Sequence, residues 1–154
     1  MIDNLLKKYP NELKVVIKSY PLGFHKQAAK ASKYWLAADK QGKGNEMYHM
    51  IFCGTTEAVD AKDCVAYRKL KTNEDLPLEY AKTLGLDVEK FKVDANSPSI
   101  ANRLETEKKQ FTSAKFARAS VPKFLIQGKV PSGRRSVDLF SSMIDAELKK
   151  IKGK

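Results

Sequence analysis

The apolar residues of this chain keep two rhythms, and the change from one to the other divides it. Ile2-Asp3-Asn4-Leu5-Leu6-Lys7-Lys8-Tyr9 reads as the end of a helix, stopped at Pro10-Asn11. The next segment, Leu13-Lys14-Val15-Val16-Ile17-Lys18-Ser19-Tyr20, is rich in β-branched residues. Its contiguous Val15-Val16-Ile17 predicts a strand buried on both faces, of the kind found in parallel or mixed sheets covered by helices. Pro21-Leu22-Gly23 ends it.

A helical rhythm follows. Phe24 to Gln41 carries Ala28, Ala29, Ala31, Trp35, Leu36 and Ala38, and Gly42-Lys43-Gly44 breaks it. Asn45 is suited to cap a helix over Glu46 to Phe52, with Met47, Met50 and Ile51 on one face. A helix over Asp60 to Lys71 would put Cys64 and Tyr67 on one stripe. Asn73 opens another, through Pro77 to Leu84, closed by Gly85. Asp87 is placed to cap a short helix to Val93, and Ser97-Pro98 to open a long one to about Arg118.

The period then returns to that of a strand. Pro122 to Gln127 reads as extended, Gly128-Lys129 as a two-residue hairpin turn, and Val130 to Ser132 as the return. Ser136 caps a last helix with Val137, Phe140, Ile144, Leu148 and Ile151 at spacings of three and four. Helix end, strand, four to five helices, hairpin and helix together predict an α/β fold with a helical insertion over about 25–118. There is no internal repeat or interior linker, and 154 residues suit a single domain over 1–154.

Charge and chemistry narrow the function classes. No stretch reaches the ~18–20 apolar residues of a membrane span, and the N-terminus lacks the pattern of a secretory signal. The net charge of +11 raises nucleic acid as a partner. The lysines are scattered, however, and no basic run alternates with aromatics that stack on bases. The densest clusters, Lys7-Lys8, Arg134-Arg135 and Lys149-Lys150-Ile151-Lys152, read as solvated ends of elements, so no nucleic-acid partner is expected. Two cysteines and two histidines, His25 and His49, lack zinc-ligand spacing, so neither a metal nor a cofactor is expected. His25 reads as a helix-start or surface residue, His49 as packing. Asp60, Asp63, Asp75 and Glu79 read as caps and helix faces rather than an acid–base pair. Three readings of Cys53 and Cys64 stay open: free buried thiols, a structural disulfide, or a surrogate redox pair. Closing their loop would be worth roughly 3 kcal/mol. Pro122, taken alone, reads as a trans proline opening an edge strand.

Three stretches, in this order, carry a resemblance. The first is Leu5-Leu6-Lys7-Lys8-Tyr9-Pro10 leading into Val15-Val16-Ile17-Lys18-Ser19-Tyr20-Pro21-Leu22-Gly23-Phe24-His25. The second is Ala37 to Lys43 followed by Glu46-Met47-Tyr48-His49-Met50-Ile51-Phe52. The third is Ala119-Ser120-Val121-Pro122-Lys123-Phe124-Leu125-Ile126-Gln127-Gly128-Lys129, with Gly133 and the final helix. In order and spacing they resemble the DsbA-like thiol–disulfide oxidoreductases.

The resemblance implies a truncated thioredoxin-like fold, with Val121-Pro122 as a cis-proline site that holds substrate. It also implies a Cys-x-x-Cys at the start of the helix whose tail is Met1 to Tyr9, where the helix N-terminus lowers a thiol's pKa. Nothing of that segment, or of the strand feeding it, precedes Met1. Met1 is therefore expected to be internal to a longer protein, exported to an oxidising compartment such as the periplasm. No catalytic residue is assigned. The expected activity is thiol–disulfide exchange by the parent protein on cysteine-containing proteins or a redox partner, this chain being inactive alone. Two alternatives stand beside it: a non-catalytic peptide-binding or assembly module, and glutathione-dependent chemistry on small molecules. With its middle strand missing, the sheet is expected to pair segment 13–20 with 122–127, or either with a second copy.

Overall fold

The structure is a computed structural model that describes residues 1–57, 62–116 and 120–153, the Lys152 side chain excepted. It divides into two compact units: a helical unit, Lys18–Ala117, and a split unit made of Met1–Ile17 with Arg118–Lys154.

The helical unit is built around α2, Lys26–Lys40. Five consecutive residues, Tyr34, Trp35, Leu36, Ala37 and Ala38, are buried on it, so neighbours cover α2 on every side of that stretch. Those neighbours are α3 (Gly44–Cys53), a 3-10 turn (Ala66–Lys71), α4 (Leu76–Thr83), α5 (Val88–Ala95) and α6 (Pro98–Ser113). Their starts follow local chemistry. Asp87 accepts a hydrogen bond from the Lys90 N–H, and Ser97 from that of Ile100. Pro77 and Pro98 stand in first turns, where a missing N–H costs nothing. The turn between α2 and α3 requires glycine at 44: a Cβ there would stand 2.6 Å from Asp39 Oδ1 and 3.1 Å from Asp39 Cα. The Trp35 indole N–H also donates to the Gly44 carbonyl at 2.9 Å.

Two buried carboxylates tie this unit together. Glu107 accepts from the Ser19 N–H at 2.6 Å and from Arg103 Nε at 3.1 Å. Asp94, 7% exposed, accepts from Lys40 and Lys90. The Lys40 bond, then that of Lys90, holds the Asp94 carboxyl below the usual carboxylate range. A carboxyl depressed on folding contributes stability above its unfolded pKa of ~3.9, and that stability is lost as pH falls through the lower, folded value. Asp94→Asn is therefore expected to cost about 1.5–3 kcal/mol at neutral pH and to flatten the loss of stability below pH ~4. Urea titrations of both proteins at neutral and acid pH measure this; parallel stability–pH curves would contradict it.

In the split unit α1 (Ile2–Lys8) packs on α7 (Val137–Lys152). Leu5, Tyr9, Phe140 and Ile144 form its core, with Leu13, Phe124, Ile126 and Leu148 against it. The Ser136 hydroxyl caps α7 by accepting from the Leu139 N–H, and the Tyr9 hydroxyl donates to Asp145 Oδ1 at 2.8 Å. Ile151, expected on the apolar stripe of α7, is 63% exposed instead.

The α/β, truncated thioredoxin-like fold expected from the sequence is overturned. Among the described residues every regular element is helical and there is no strand; backbone pairing of the β kind is a lone bridge between Ile126 and Lys129. A strand exists only by pairing, and segments 13–20 and 122–127 do not pair with each other; the only β pairing of either among the described residues is that of Ile126 with Lys129 inside the hairpin. The burial expected for Val15-Val16-Ile17 fails with it, since Val16 is 66% exposed and Ile17 37%. Neither segment then needs a strand partner, because water can serve the backbone groups that burial would have left unpaired.

Smaller corrections concern element ends. The hairpin turn is Gln127-Gly128, one residue earlier than expected: both have positive φ, +47° and +78°, as a type I′ turn demands. The helix expected from Asp60 to Lys71 is the 3-10 turn Ala66–Lys71, and α6 stops at Ser113 rather than near Arg118. Asp60 and Arg118 themselves lie outside the described residues.

Candidate functional site

Val121 and Pro122 lie in the split unit, on the non-helical stretch that leads to the 126–129 hairpin. The bond between them is cis, and both residues reach the surface. Beyond them side chains alternate: Phe124 and Ile126 pack on the core cluster, while Leu125 is 53% exposed. Leu13 to Val16 behaves likewise. Leu13 and Val15 are partly buried, Lys14 and Val16 exposed. Period-two burial is what a chain with a core on one side and solvent on the other must show. The backbone N–H groups of Lys14, Val15, Val16, Ile17, Phe124 and Leu125 make no hydrogen bond among the described residues. Two surface segments, resting on one core cluster, thus offer backbone donors to a partner.

Beside the second segment is a pocket of about 120 Å³ lined by Lys123, Phe124, Val130, Pro131, Gly133 and Arg135. The Arg135 guanidinium lies over the Phe124 ring, 5.4 Å from its centroid, and Phe140 meets that ring edge-on at 5.1 Å. The sequence did not single this pocket out. Its only mark there is the run Pro131-Ser132-Gly133-Arg134-Arg135, a turn-forming stretch ending in two cations, which read as a solvated end. Across the hairpin, Lys129 is held by Glu147 at 2.7 Å. Its charge is thereby stabilised, raising the Lys129 pKa and lowering that of Glu147.

Cys53 and Cys64 belong to the helical unit and are joined to each other, S–S 2.07 Å. Cys53 is the last residue of α3, and Gly54 follows in the left-handed conformation with its N–H on the Met50 carbonyl. At that end of a helix the dipole is negative and opposes a thiolate, the reverse of the helix-start setting that activates a cysteine. His25 stands exposed at the start of α2, and His49 is half-buried on α3. Asp75 precedes α4 and accepts from Tyr34 and Lys30. Among the described residues no three His, Cys, Asp or Glu are grouped so as to hold a metal. No helix of those residues is long and apolar enough to cross a membrane. Neither a family model, nor a curated protein, nor a solved structure matches this chain.

Proposed function

We propose that this chain binds an extended segment of another polypeptide through the backbone of Lys14–Ile17 and of Phe124 and Leu125, without a redox catalyst of its own. The observation that carries this reading is the row of unbonded N–H groups at the surface of two segments whose side chains alternate between core and solvent. An extended peptide laid along such a segment gains affinity from main-chain hydrogen bonds and selectivity from the pockets its alternate side chains enter. Val121 and Pro122 stand at the start of the second segment and are the first side chains such a peptide meets.

The setting of Cys53 speaks against catalysis by the cysteine pair, because it closes a helix C-terminus, where the dipole disfavours the thiolate that exchange requires. Thiol–disulfide exchange on cysteine-containing proteins, implied by the resemblance, would need a thiolate that neither Cys53 nor Cys64 is placed to supply. Glutathione chemistry is disfavoured by size: about 120 Å³ is well below the ~300–1,000 Å³ of small-molecule sites.

A labelled peptide of alternating valine and threonine tests the proposal. It is expected to bind, and methylating alternate backbone nitrogens is expected to weaken it at least ~10-fold, since each lost hydrogen bond is worth about 1 kcal/mol. Equal binding of the methylated peptide, or no binding of either, would refute backbone recognition. Reduction of insulin by this chain, abolished by Cys53→Ser, would refute the non-catalytic half.

A further inference from the structure

We infer that the peptide recognised by the split unit is acidic, and that Arg135 in the pocket beside Phe124 takes one of its carboxylates. This rests on the peptide-binding reading and adds the chemistry of the partner. The split unit holds twelve Lys or Arg residues against five Asp or Glu, so it carries +7 of the chain's net +11. The pocket is lined by two cations and no carboxylate. Arg134 and Arg135 have no carboxylate partner among the described residues. The Arg135 guanidinium is held over the Phe124 ring, and its N–H groups make no hydrogen bond among the described residues. A planar fork held in this way suits the two oxygens of a carboxylate. Val130 and Pro131 supply the apolar wall for the methylenes of an Asp or Glu side chain. A second copy of this chain is a poor occupant because the two units would oppose like charge to like.

Three labelled peptides of one alternating sequence test this, carrying glutamate, glutamine or lysine at the outward positions. The glutamate peptide is expected to bind the whole chain at least ~10-fold tighter than the glutamine peptide, and the lysine peptide weakest. Raising salt from about 50 to 500 mM should erase the preference, because screening shortens the range of the charges. Arg135→Gln should cut binding of the glutamate peptide ~10-fold and so remove its advantage over the glutamine peptide. Equal, salt-insensitive binding of the glutamate and glutamine peptides would overturn this inference and leave peptide recognition standing. Binding of none would overturn the recognition on which it rests. Tighter, Arg135-dependent binding of a single-stranded oligonucleotide than of the glutamate peptide would reassign the pocket and overturn it too. The salt titration uses the unaltered chain, so the inference remains testable even where Arg135→Gln folds poorly.

Discussion

Replacing Phe91 with alanine is expected to destabilise the chain by about 3–5 kcal/mol, the cost of removing a large aromatic from a closed core. Phe91 is fully buried on α5 and stacks on Tyr34 of α2, ring centroids 5.4 Å apart and planes 10° from parallel. The Tyr34 hydroxyl donates to Asp75 at 2.6 Å, and burial, reinforced by Asp75, pushes its pKa well above the usual range. The ring of Phe91 therefore packs against a side chain whose far end is already tied to the start of α4, and relaxation into the cavity is restricted. Phe91→Leu keeps most of the volume and is expected to cost about 1–2 kcal/mol. Urea unfolding of both variants measures this. A loss below ~1 kcal/mol for Phe91→Ala would contradict the placement of α5 against α2.

The second large effect concerns the disulfide. Cys53 and Cys64 are separated by 11 positions, so the bond closes a loop whose chain entropy is worth about 3 kcal/mol. Set against the about 5–15 kcal/mol that a domain typically has, that is a large share. Reduction is expected to lower stability by about that amount, and the double variant Cys53→Ser with Cys64→Ser to match the reduced protein and ignore reductant. The measurement is denaturant unfolding with and without a thiol reductant. An unaltered midpoint on reduction would contradict a structural role for the bond.

What was legible in the sequence follows the reach of the forces involved. The caps at Asp87, Ser97 and Ser136 were readable because each bonds an N–H three residues along, a purely local event. Pro77, Pro98 and Gly85 worked in the same way. The strand expected at Val15-Val16-Ile17 was not decidable locally. Its β-branched residues fit a pleated, half-buried surface, but whether a strand forms depends on a partner that no local pattern specifies. The pocket was hidden for a related reason: Phe124 and Arg135 are brought together by the turn at Gln127-Gly128, across eleven residues of sequence distance. The arginine pair was visible, but the ring beneath it was not.

Backbone recognition is the centre of this account, and amide hydrogen exchange reads it directly. In the free chain the amides of Lys14 to Ile17, Phe124 and Leu125 have no hydrogen-bond partner among the described residues and are expected to exchange close to the rate of an unstructured peptide. Saturation with the glutamate peptide is expected to slow some of these amides at least ~10-fold, while α2 and α5 remain unchanged. Strong protection in the free chain, or an exchange pattern that the bound peptide leaves untouched, would contradict it.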